Sequence, residues 1–531
     1  MDSLQFRAYS ENTWVYPDEQ AVTCPQSDVL LHCARGGNVL TQILTDFPVQ
    51  AGELVDVFVQ GANGVTVTPY QLVPVTVTLN SAPWGMGDTT KNYEEVKDFV
   101  TRKAPFDVYD ATAPLDQGFV HSGRLAIALR FAPSVTATPG VQKITVTFTM
   151  ANVVLTVPVL LHVHKAVIPA MRDSDLMVVN WIAPEQLAKQ AGAELYSDAY
   201  WEVYENILTH LVDIRNNHLS ISQSWRHEPD EAVRDENGKV VDFDLSYLEK
   251  ALILAEKAGM TKLYGSYVAH WAQWDQEEIY LLWDWDNKWR VTSTEAYRQL
   301  KLYFTRVKEM VERNGWQDKY IQPLVDEPQF PNVPDYRILC GVVRSLYPEI
   351  VLHDPVEVHN IAGAADIICV KQAVYEKYLK EFQELQACGQ RVTYYACGYP
   401  AGPTMNRTVD LPLHVSRISF WMCQRYDMEG YLHWGYHAYS NLRNVNNGAM
   451  APGNANMVYT AGKDFWESMR SHAQRAGAED WELLEIIRKN DPQLTQRLVA
   501  RGCRTFDDYE RDSATIDAIQ LDILNTADKY F

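Results

Sequence analysis

Two consecutive carboxylic acids, Asp326 and Glu327, follow an apolar run and precede Pro328 in the stretch YIQPLVDEPQF. Close carboxyls push their pKa values apart, so one can hold a proton while the other stays ionised. Such a pair can protonate a leaving oxygen and stabilise a developing positive charge, which is what cleavage of a glycosidic bond needs. Asp-Glu pairs are also common in solvated turns, so the surroundings of this pair must decide its role.

The two carboxyls can act together only if they face one cavity. Adjacent residues of a β-strand point to opposite sides, which would separate Asp326 from Glu327. Proline lacks the N–H that regular strand pairing requires, so we expect Pro328 to end the strand and to redirect Glu327.

The pair must be positioned by the elements around it, and from residue 176 onwards short apolar runs alternate with segments of helical period. This pattern predicts an α/β fold with a (β/α)8 barrel, in which residues at the C-terminal strand ends form the functional rim. An open, doubly wound sheet is the alternative, but the segment NWIAPEQ after the first strand lacks the glycine-rich turn typical of that fold. The predicted strands are Leu176–Trp181, Leu219–Trp225, Lys262–His270, Tyr320–Asp326, Ile350–His353, Ala365–Val370, Arg391–Cys397 and Gly430–Trp434.

The predicted strand ends also carry aromatic and polar side chains, which together suit a sugar-binding pocket. Trp271, Tyr395 and Trp434 are candidates for the apolar walls and the hydrogen-bond donor of an acetamido pocket, and His437 for a sugar hydroxyl partner. The full set of predicted substrate-binding residues is Asn180, Trp225, His270, Trp271, His353, Lys371, Tyr395, Trp434, Tyr436 and His437.

The first part of the chain has a different pattern, with apolar and polar residues alternating in short β-branched stretches such as VTVTPYQLVPVTVTLN. Period-two alternation predicts antiparallel strands with one buried face, here a β-sandwich. The predicted domains are therefore an N-terminal β-sandwich over residues 1–168, a barrel domain over 169–484 and a C-terminal helical extension over 485–531.

Composition excludes several classes of function. A net charge of −21 and a pI near 5.1 argue against a nucleic-acid partner, because phosphate binding needs a basic surface. The sequence shows no secretory signal, no membrane span and no paired-cysteine motif, which predicts a cytoplasmic protein with reduced thiols. No cofactor or metal site is predicted, since His433 and His437 lie on a strand and its loop, where their spacing does not bring them together. Whether the chain forms a homo-oligomer stays open.

Four segments together resemble glycoside hydrolase family 123, the β-N-acetylgalactosaminidases. They are PLVDEP, VTYYACGYP, EGYLHWGYH and the helical MRSHAQRAGAEDWELL. The resemblance implies a retaining exo-glycosidase that releases β-linked N-acetylgalactosamine from a glycan, with the acetamido oxygen of the sugar attacking the anomeric carbon. By position, Asp326 would orient the acetamido group and stay ionised, and Glu327 would be the general acid and then the base.

Two alternatives remain, and one feature departs from the family pattern. The run MVYTAGKDF replaces a Pro-Gly pair common in the family, which predicts a differently shaped rim loop after the eighth strand. This departure favours a glycosidase of another sugar specificity that uses Asp326 or Glu327 with a distant acid such as Asp354. The high tryptophan and tyrosine content, 15 and 29 residues, also fits a non-catalytic carbohydrate-binding protein.

Overall fold

The structure is a computed structural model of the chain, and its fold has two compact units. The first unit comprises residues 1–174, 397–427 and 439–531, and the second comprises 175–396 and 428–438. The predicted domains divided the chain at residues 168 and 484, whereas the first unit also takes in residues 397–427 and 439–531, which follow the seventh and eighth barrel strands. The structure describes residues 2–20, 22, 28–82, 93–116, 118–150, 153–221, 232–448 and 450–531.

The first unit begins with two β-sheets that form the predicted sandwich. One sheet contains β1, β3, β5, β9 and β10, and the other contains β2, β4, β6, β7 and β8 together with two later strands. The strands are β1 (Asp2–Ser3), β2 (Arg7–Ser10), β3 (Val29–Arg35), β4 (Val39–Val49), β5 (Asp56–Gln60), β6 (Val65–Val77), β7 (Phe106–Pro114), β8 (Gly123–Pro133), β9 (Gly140–Met150) and β10 (Val153–Val167).

Period-two alternation places one face of each sheet in a shared core. Along β10, Leu155, Val157 and Leu161 are buried, while the residues between them are at least partly exposed over most of the strand. The same core contains Ile127 of β8 and Phe148 of β9. The alternation visible in the sequence therefore identifies the buried face correctly.

The second unit contains a closed barrel of eight parallel strands, which confirms the predicted fold class. Strands β11, β12, β15, β18, β19, β20, β21 and β22 follow one another around the barrel, and β22 pairs with β11 to close it. The strands of this unit are β11 (Met177–Ile182), β12 (His218–Ile221), β13 (Ala232–Arg234), β14 (Val240–Phe243), β15 (Lys262–Tyr264), β16 (Ala269–Trp271), β17 (Ile279–Leu281), β18 (Tyr320–Gln322), β19 (Val351–Val356), β20 (Ile367–Lys371), β21 (Arg391–Ala396) and β22 (Gly430–His433).

Helices connect most of the barrel strands. The segment between β19 and β20 contains no helix, so residues 357–366 join these two strands directly. Strand β19 is followed at once by Glu357, which places an acid at the strand end. The helices are α1 (Pro184–Ala191), α2 (Asp198–Asp213), α3 (Ser246–Ala258), α4 (Thr294–Asn314), α5 (Val333–Leu346), α6 (Gln372–Lys377), α7 (Leu379–Ala387), α8 (Val415–Tyr426), α9 (Met469–Asn490), α10 (Pro492–Gly502) and α11 (Ser513–Ala527).

The run MVYTAGKDF, which we expected to form a rim loop after the eighth strand, instead contributes a hairpin to the sandwich. Its strands are β23 (Tyr459–Ala461) and β24 (Asp464–Ser468), and β24 pairs with β7 through Glu467 and Ser468. The rim-loop interpretation was wrong because two short strands on either side of Gly462 were read as one irregular connection. Gly462 has a φ of +64°, a value that suits the tight turn between them.

Within the described residues, no helix is both long enough and apolar enough to cross a membrane. Seven cysteines fall in this part of the chain, and all seven are free thiols. Five of them are buried in the protein interior, where a free cysteine packs as a small apolar side chain.

Candidate active site

The segment that carries the two acids leaves the regular barrel before it reaches them. Strand β18 ends at Gln322, and Val325 then forms a single parallel bridge with Ala269. The carboxylate of Asp354 accepts hydrogen bonds from the backbone N–H groups of Leu324 (2.6 Å) and Val325 (3.2 Å). These contacts replace the missing strand pairing and fix the chain just before Asp326.

A left-handed turn at Glu327 redirects its side chain. Its φ is +46°, a conformation that costs a non-glycine residue about 1–3 kcal/mol and persists only where the surroundings hold it. The Glu327 N–H donates to the carbonyl of Pro355 (3.1 Å), and the indole N–H of Trp271 donates to the carbonyls of Asp326 (3.1 Å) and Glu327 (3.0 Å). The change of direction that we expected from Pro328 is thus made at Glu327 itself.

Three side chains surround the carboxylate of Glu327, whose side chain is 15% exposed. The Tyr395 hydroxyl donates to Glu327 Oε1 at 2.5 Å, and Lys371 Nζ lies 4.0 Å from the same oxygen. Lys371 also forms a close ion pair with Glu357. Tyr395, Lys371 and Glu357 lie at or just after the C-terminal ends of β21, β20 and β19, so the barrel brings them to one rim.

The surroundings raise the pKa of both acids. Burial raises the pKa of Asp326 well above its ordinary value, and the neighbouring charges of Glu327, Asp354 and Glu357 add to this effect. Burial also raises the pKa of Glu327, as does Glu357, while Lys371 and the Tyr395 hydroxyl lower it. The sequence predicted an ionised Asp326 beside a protonated Glu327, whereas in the structure the pKa values of both carboxyls are raised.

Asp354 is fully buried, and its carboxylate is occupied by the protein. Besides the two backbone N–H groups of the 324–325 segment, it accepts the Tyr336 hydroxyl at 2.7 Å. Burial raises its pKa to about 7, and these three hydrogen bonds oppose the shift. These hydrogen bonds tie Asp354 to the segment that precedes the acid pair, and we expect it to position that segment.

Substitution of Asp354 tests that role through two variants. Asp354→Asn keeps an oxygen for the backbone N–H groups and should retain most of the activity. Asp354→Ala leaves two buried N–H groups and a hydroxyl unpaired, each costing about 1–3 kcal/mol, so we expect a lower melting temperature and a lower kcat. Thermal unfolding and kcat would be measured on both variants. An inactive but stable Asp354→Asn variant would instead indicate an acid role.

The structure gives His353 and Asn180 protein partners inside the barrel. His353 Nδ1 contacts the Tyr264 hydroxyl (2.5 Å) and Nε2 contacts Thr393 Oγ1 (2.9 Å). Burial lowers the pKa of His353 to about 3, so it is neutral. Asn180 is buried and its amide donates to Asn216 Oδ1 at 3.0 Å. These two polar residues belong to networks in the barrel interior.

The remaining predicted binding residues that the structure describes lie at or just after strand ends. His270 and Trp271 form the end of β16, with ring centroids 4.4 Å apart, and burial lowers the pKa of His270 to about 4. Trp434 is partly exposed just after β22, followed by the buried Tyr436 and His437. Burial lowers the pKa of His437 to about 3. Trp225 lies outside the described residues.

Sequence reasoning missed Glu357 and Tyr267. Glu357 directly follows β19, so a correct C-terminal end for that strand would have placed it on the rim. Tyr267 lies in the break between β15 and β16, and the charge of Asp326 contributes to raising its pKa. We had predicted one continuous strand over Lys262–His270, and that hid the break.

Comparisons with known proteins place this barrel in a family context. Residues 181–487, more than half of the chain, match the description "Glycoside hydrolase 123, catalytic domain". A search of curated proteins found no match.

Among solved structures, a family 123 glycoside hydrolase from Clostridium perfringens, studied for glycolipid glycan hydrolysis, matches at a TM-score of 0.74 and 13% identity, covering 99% of this chain and 98% of that one. A Cellvibrio japonicus xylanase, solved with xylopentaose, matches at 0.35 and 10% identity, over 83% and 93% of the two chains. A Dictyoglomus thermophilum β-D-glucuronidase matches at 0.33 and 9% identity, over 80% and 68%. TM-scores below 0.5 do not define a shared fold, whereas the first match extends the likeness to the whole chain.

Proposed function

The chain belongs to glycoside hydrolase family 123, and from this premise we propose that it is a retaining exo-glycosidase that releases terminal β-linked N-acetylgalactosamine. In this proposal the 2-acetamido oxygen of the substrate attacks the anomeric carbon, and water later opens the resulting oxazolinium-like intermediate. The observation that carries the proposal is the consecutive Asp326-Glu327 pair shortly after barrel strand β18, with Glu327 turned by its left-handed backbone.

Glu327 is the proposed general acid and base. A general acid must hold a proton near the working pH, and burial and the Glu357 charge raise the Glu327 pKa in that direction. The same residue must then lose its proton to the departing sugar oxygen, and Lys371 and Tyr395 stabilise the carboxylate that forms. These opposing influences on the pKa suit a group that gives its proton to the leaving oxygen in the first half-reaction and takes one from the attacking water in the second.

Asp326 is the proposed partner of the acetamido group. Its buried carboxyl has a raised pKa, and an acetamido N–H donating to it would favour the ionised form. The positive charge that develops on the sugar would lower the pKa further. The substrate would therefore create the ionised Asp326 beside the protonated Glu327 that the chemistry requires.

Aromatic side chains near the pair would form the walls of the sugar pocket. Trp271 uses its indole N–H on the backbone carbonyls of the acid pair, so we assign it an apolar wall and not a donor role. Trp434 is partly exposed after β22 and is a second wall candidate. The similar Clostridium perfringens enzyme was studied for glycolipid glycan hydrolysis, which supports a glycan substrate for this chain.

The direct test is a panel of nitrophenyl β-glycosides of N-acetylgalactosamine, N-acetylglucosamine and galactose. We expect turnover of the first, less of the second and none of the third, with retention of configuration seen by NMR. Cleavage of the galactoside alone would contradict substrate assistance and favour the second alternative. Binding of an intact oligosaccharide in calorimetry, without products after long incubation, would favour the carbohydrate-binding alternative.

The Tyr395 hydroxyl predicts a specific pH effect. Because it donates to Glu327 Oε1, it stabilises the carboxylate and lowers the pKa of Glu327. A hydrogen bond to a charged group contributes about 1.5–3 kcal/mol, and 1.36 kcal/mol corresponds to about one pKa unit. In Tyr395→Phe we therefore expect the alkaline limb of the kcat/KM profile to move up by about 1–2 pH units.

The matched control is Tyr297→Phe, which removes the hydroxyl of an exposed tyrosine on α4 in the same unit. Its pH profile should overlay that of the unmodified enzyme. An alkaline limb that stays in place in Tyr395→Phe would show that the hydroxyl does not act on the general acid.

A further inference from the structure

Three histidines meet on the outer face of the five-stranded sheet in the first unit. His162 and His164 are two residues apart on β10, so their side chains point to the same side. His32 lies on the neighbouring strand β3, directly opposite His162 in the parallel register. The flanking residues Leu161 and Val163 are buried in the sandwich core, which places the histidines on the opposite face.

The ring nitrogens converge closely enough to share one ion. One ligand nitrogen from each histidine lies within 4.8 Å of the other two, and His32 Nδ1 is 3.1 Å from His164 Nε2. Nitrogens bound about 2.0–2.1 Å from a tetrahedral Zn²⁺ lie about 3.3 Å apart, so that pair already has nearly the required spacing. The rings of His162 and His164 are stacked at 4.4 Å, which holds their edges side by side.

A carboxylate behind the cluster orients one ring. Asp528 Oδ2 accepts from His164 Nδ1 at 2.9 Å, and its other oxygen accepts the Ala166 N–H at 2.9 Å. Since a carboxylate only accepts, Nδ1 of His164 carries the proton, and Nε2 presents its lone pair toward His32. A carboxylate on the far nitrogen of a histidine is the usual outer-shell arrangement of a metal ligand, because it fixes the tautomer and makes the ring more basic.

We propose that His32, His162 and His164 form a binding site for a divalent transition metal, Zn²⁺ being the best fit, with Asp528 as the orienting outer partner. Three imidazoles leave a fourth tetrahedral position for water. His32 borders a cleft of about 400 Å³ lined by β2, β3, β4 and α11, which gives an ion and its water a route to the site. A bound ion would link β3, β10 and the C-terminal segment that carries Asp528.

The test measures metal binding by the full chain without an affinity tag. Zn²⁺ would be titrated by calorimetry, and Co²⁺ would be followed by the visible absorption of a tetrahedral complex. We expect one ion per chain and a higher melting temperature with Zn²⁺. His162→Ala, a change at a partly exposed position, should weaken binding by at least about 100-fold, and Asp528→Asn by about 10- to 100-fold.

The control is His121→Ala, which removes a partly exposed histidine of the same unit from outside the cluster and should leave binding unchanged. Circular dichroism without metal would confirm that each variant is folded. A failure of the wild-type chain to bind Zn²⁺ saturably, or equal binding by His162→Ala, would overturn the proposal and leave a hydrogen-bonded histidine cluster. Loss of binding in His162→Ala with no change in Asp528→Asn would overturn the orienting role of Asp528.

Discussion

Replacing Glu327 with glutamine should lower kcat by about 10²- to 10⁴-fold on a glycan with an unactivated leaving group, the usual contribution of a general acid. Glutamine has nearly the same shape and keeps an oxygen that can accept the Tyr395 hydroxyl, so the fold should be retained. It cannot donate a proton to the departing oxygen. An acidic phenol leaves an aryl glycoside without such help, so the rate of the first half-reaction on that substrate should fall much less.

The measurement is kcat on both substrate types, with pre-steady-state release of the phenol to separate the two half-reactions. Glu349→Gln is the control, because Glu349 is an exposed acid of the same unit that precedes β19, away from the C-terminal strand ends. Equal losses on the natural glycan and the activated phenol would contradict the acid role of Glu327. Unchanged turnover on the glycan would remove this residue from the mechanism.

The barrel could be predicted because its strands are short, apolar and regularly spaced between amphipathic helices. Each predicted strand overlaps an observed one, and Arg391–Ala396 and Gly430–His433 each differ from the prediction by one residue. The predicted strand ends were less accurate at the points where the chain leaves the barrel. Gly265 stands in the break between β15 and β16, where a Cβ would collide with the Tyr320 side chain, and a pattern of apolar residues does not record such close approach.

The chemistry of the site could be predicted only as far as residue types allow. The Asp326-Glu327 pair is visible in the sequence, but its electrostatics depend on Glu357 and Lys371, which other strands bring to it. The left-handed backbone at Glu327 could not be predicted from the sequence either, because glutamate normally avoids that conformation. The pairing of β19 with β20 and of β20 with β21 brings these residues together at the rim.

The same limit explains the sandwich. Strand β24 joins β7 across more than 300 residues of sequence, so no local pattern connects them. The His-x-His spacing of His162 and His164 was visible on a predicted strand, but His32 lies about 130 residues earlier and Asp528 near the end of the chain. Only the register of β3 against β10 reveals the cluster.

Replacing Asp326 with asparagine should have the second large effect on activity, since it removes the charge opposite the developing positive centre. A thiazoline analogue of N-acetylgalactosamine mimics the proposed intermediate, and its binding should weaken by about 10- to 150-fold, the equivalent of the 1.5–3 kcal/mol of a charge-assisted hydrogen bond. Binding of the product sugar should change much less. Equal affinity of the variant for the thiazoline would contradict the role of Asp326 in stabilising the intermediate.

The same substitution should stabilise the protein at neutral pH. The folded-state pKa of Asp326 is raised above the ordinary value of about 3.9, so its contribution to stability is fully present below about pH 3.9 and is lost as pH rises through the folded-state pKa. Asparagine does not ionise, and Asp326→Asn should therefore melt a few degrees higher than the unmodified chain at pH 7, with the difference shrinking toward pH 4. If the carboxyl is kept for catalysis at the expense of stability, its replacement should raise the melting temperature. A variant that melts lower at every pH would therefore mean that Asp326 stabilises the fold through packing or hydrogen bonding.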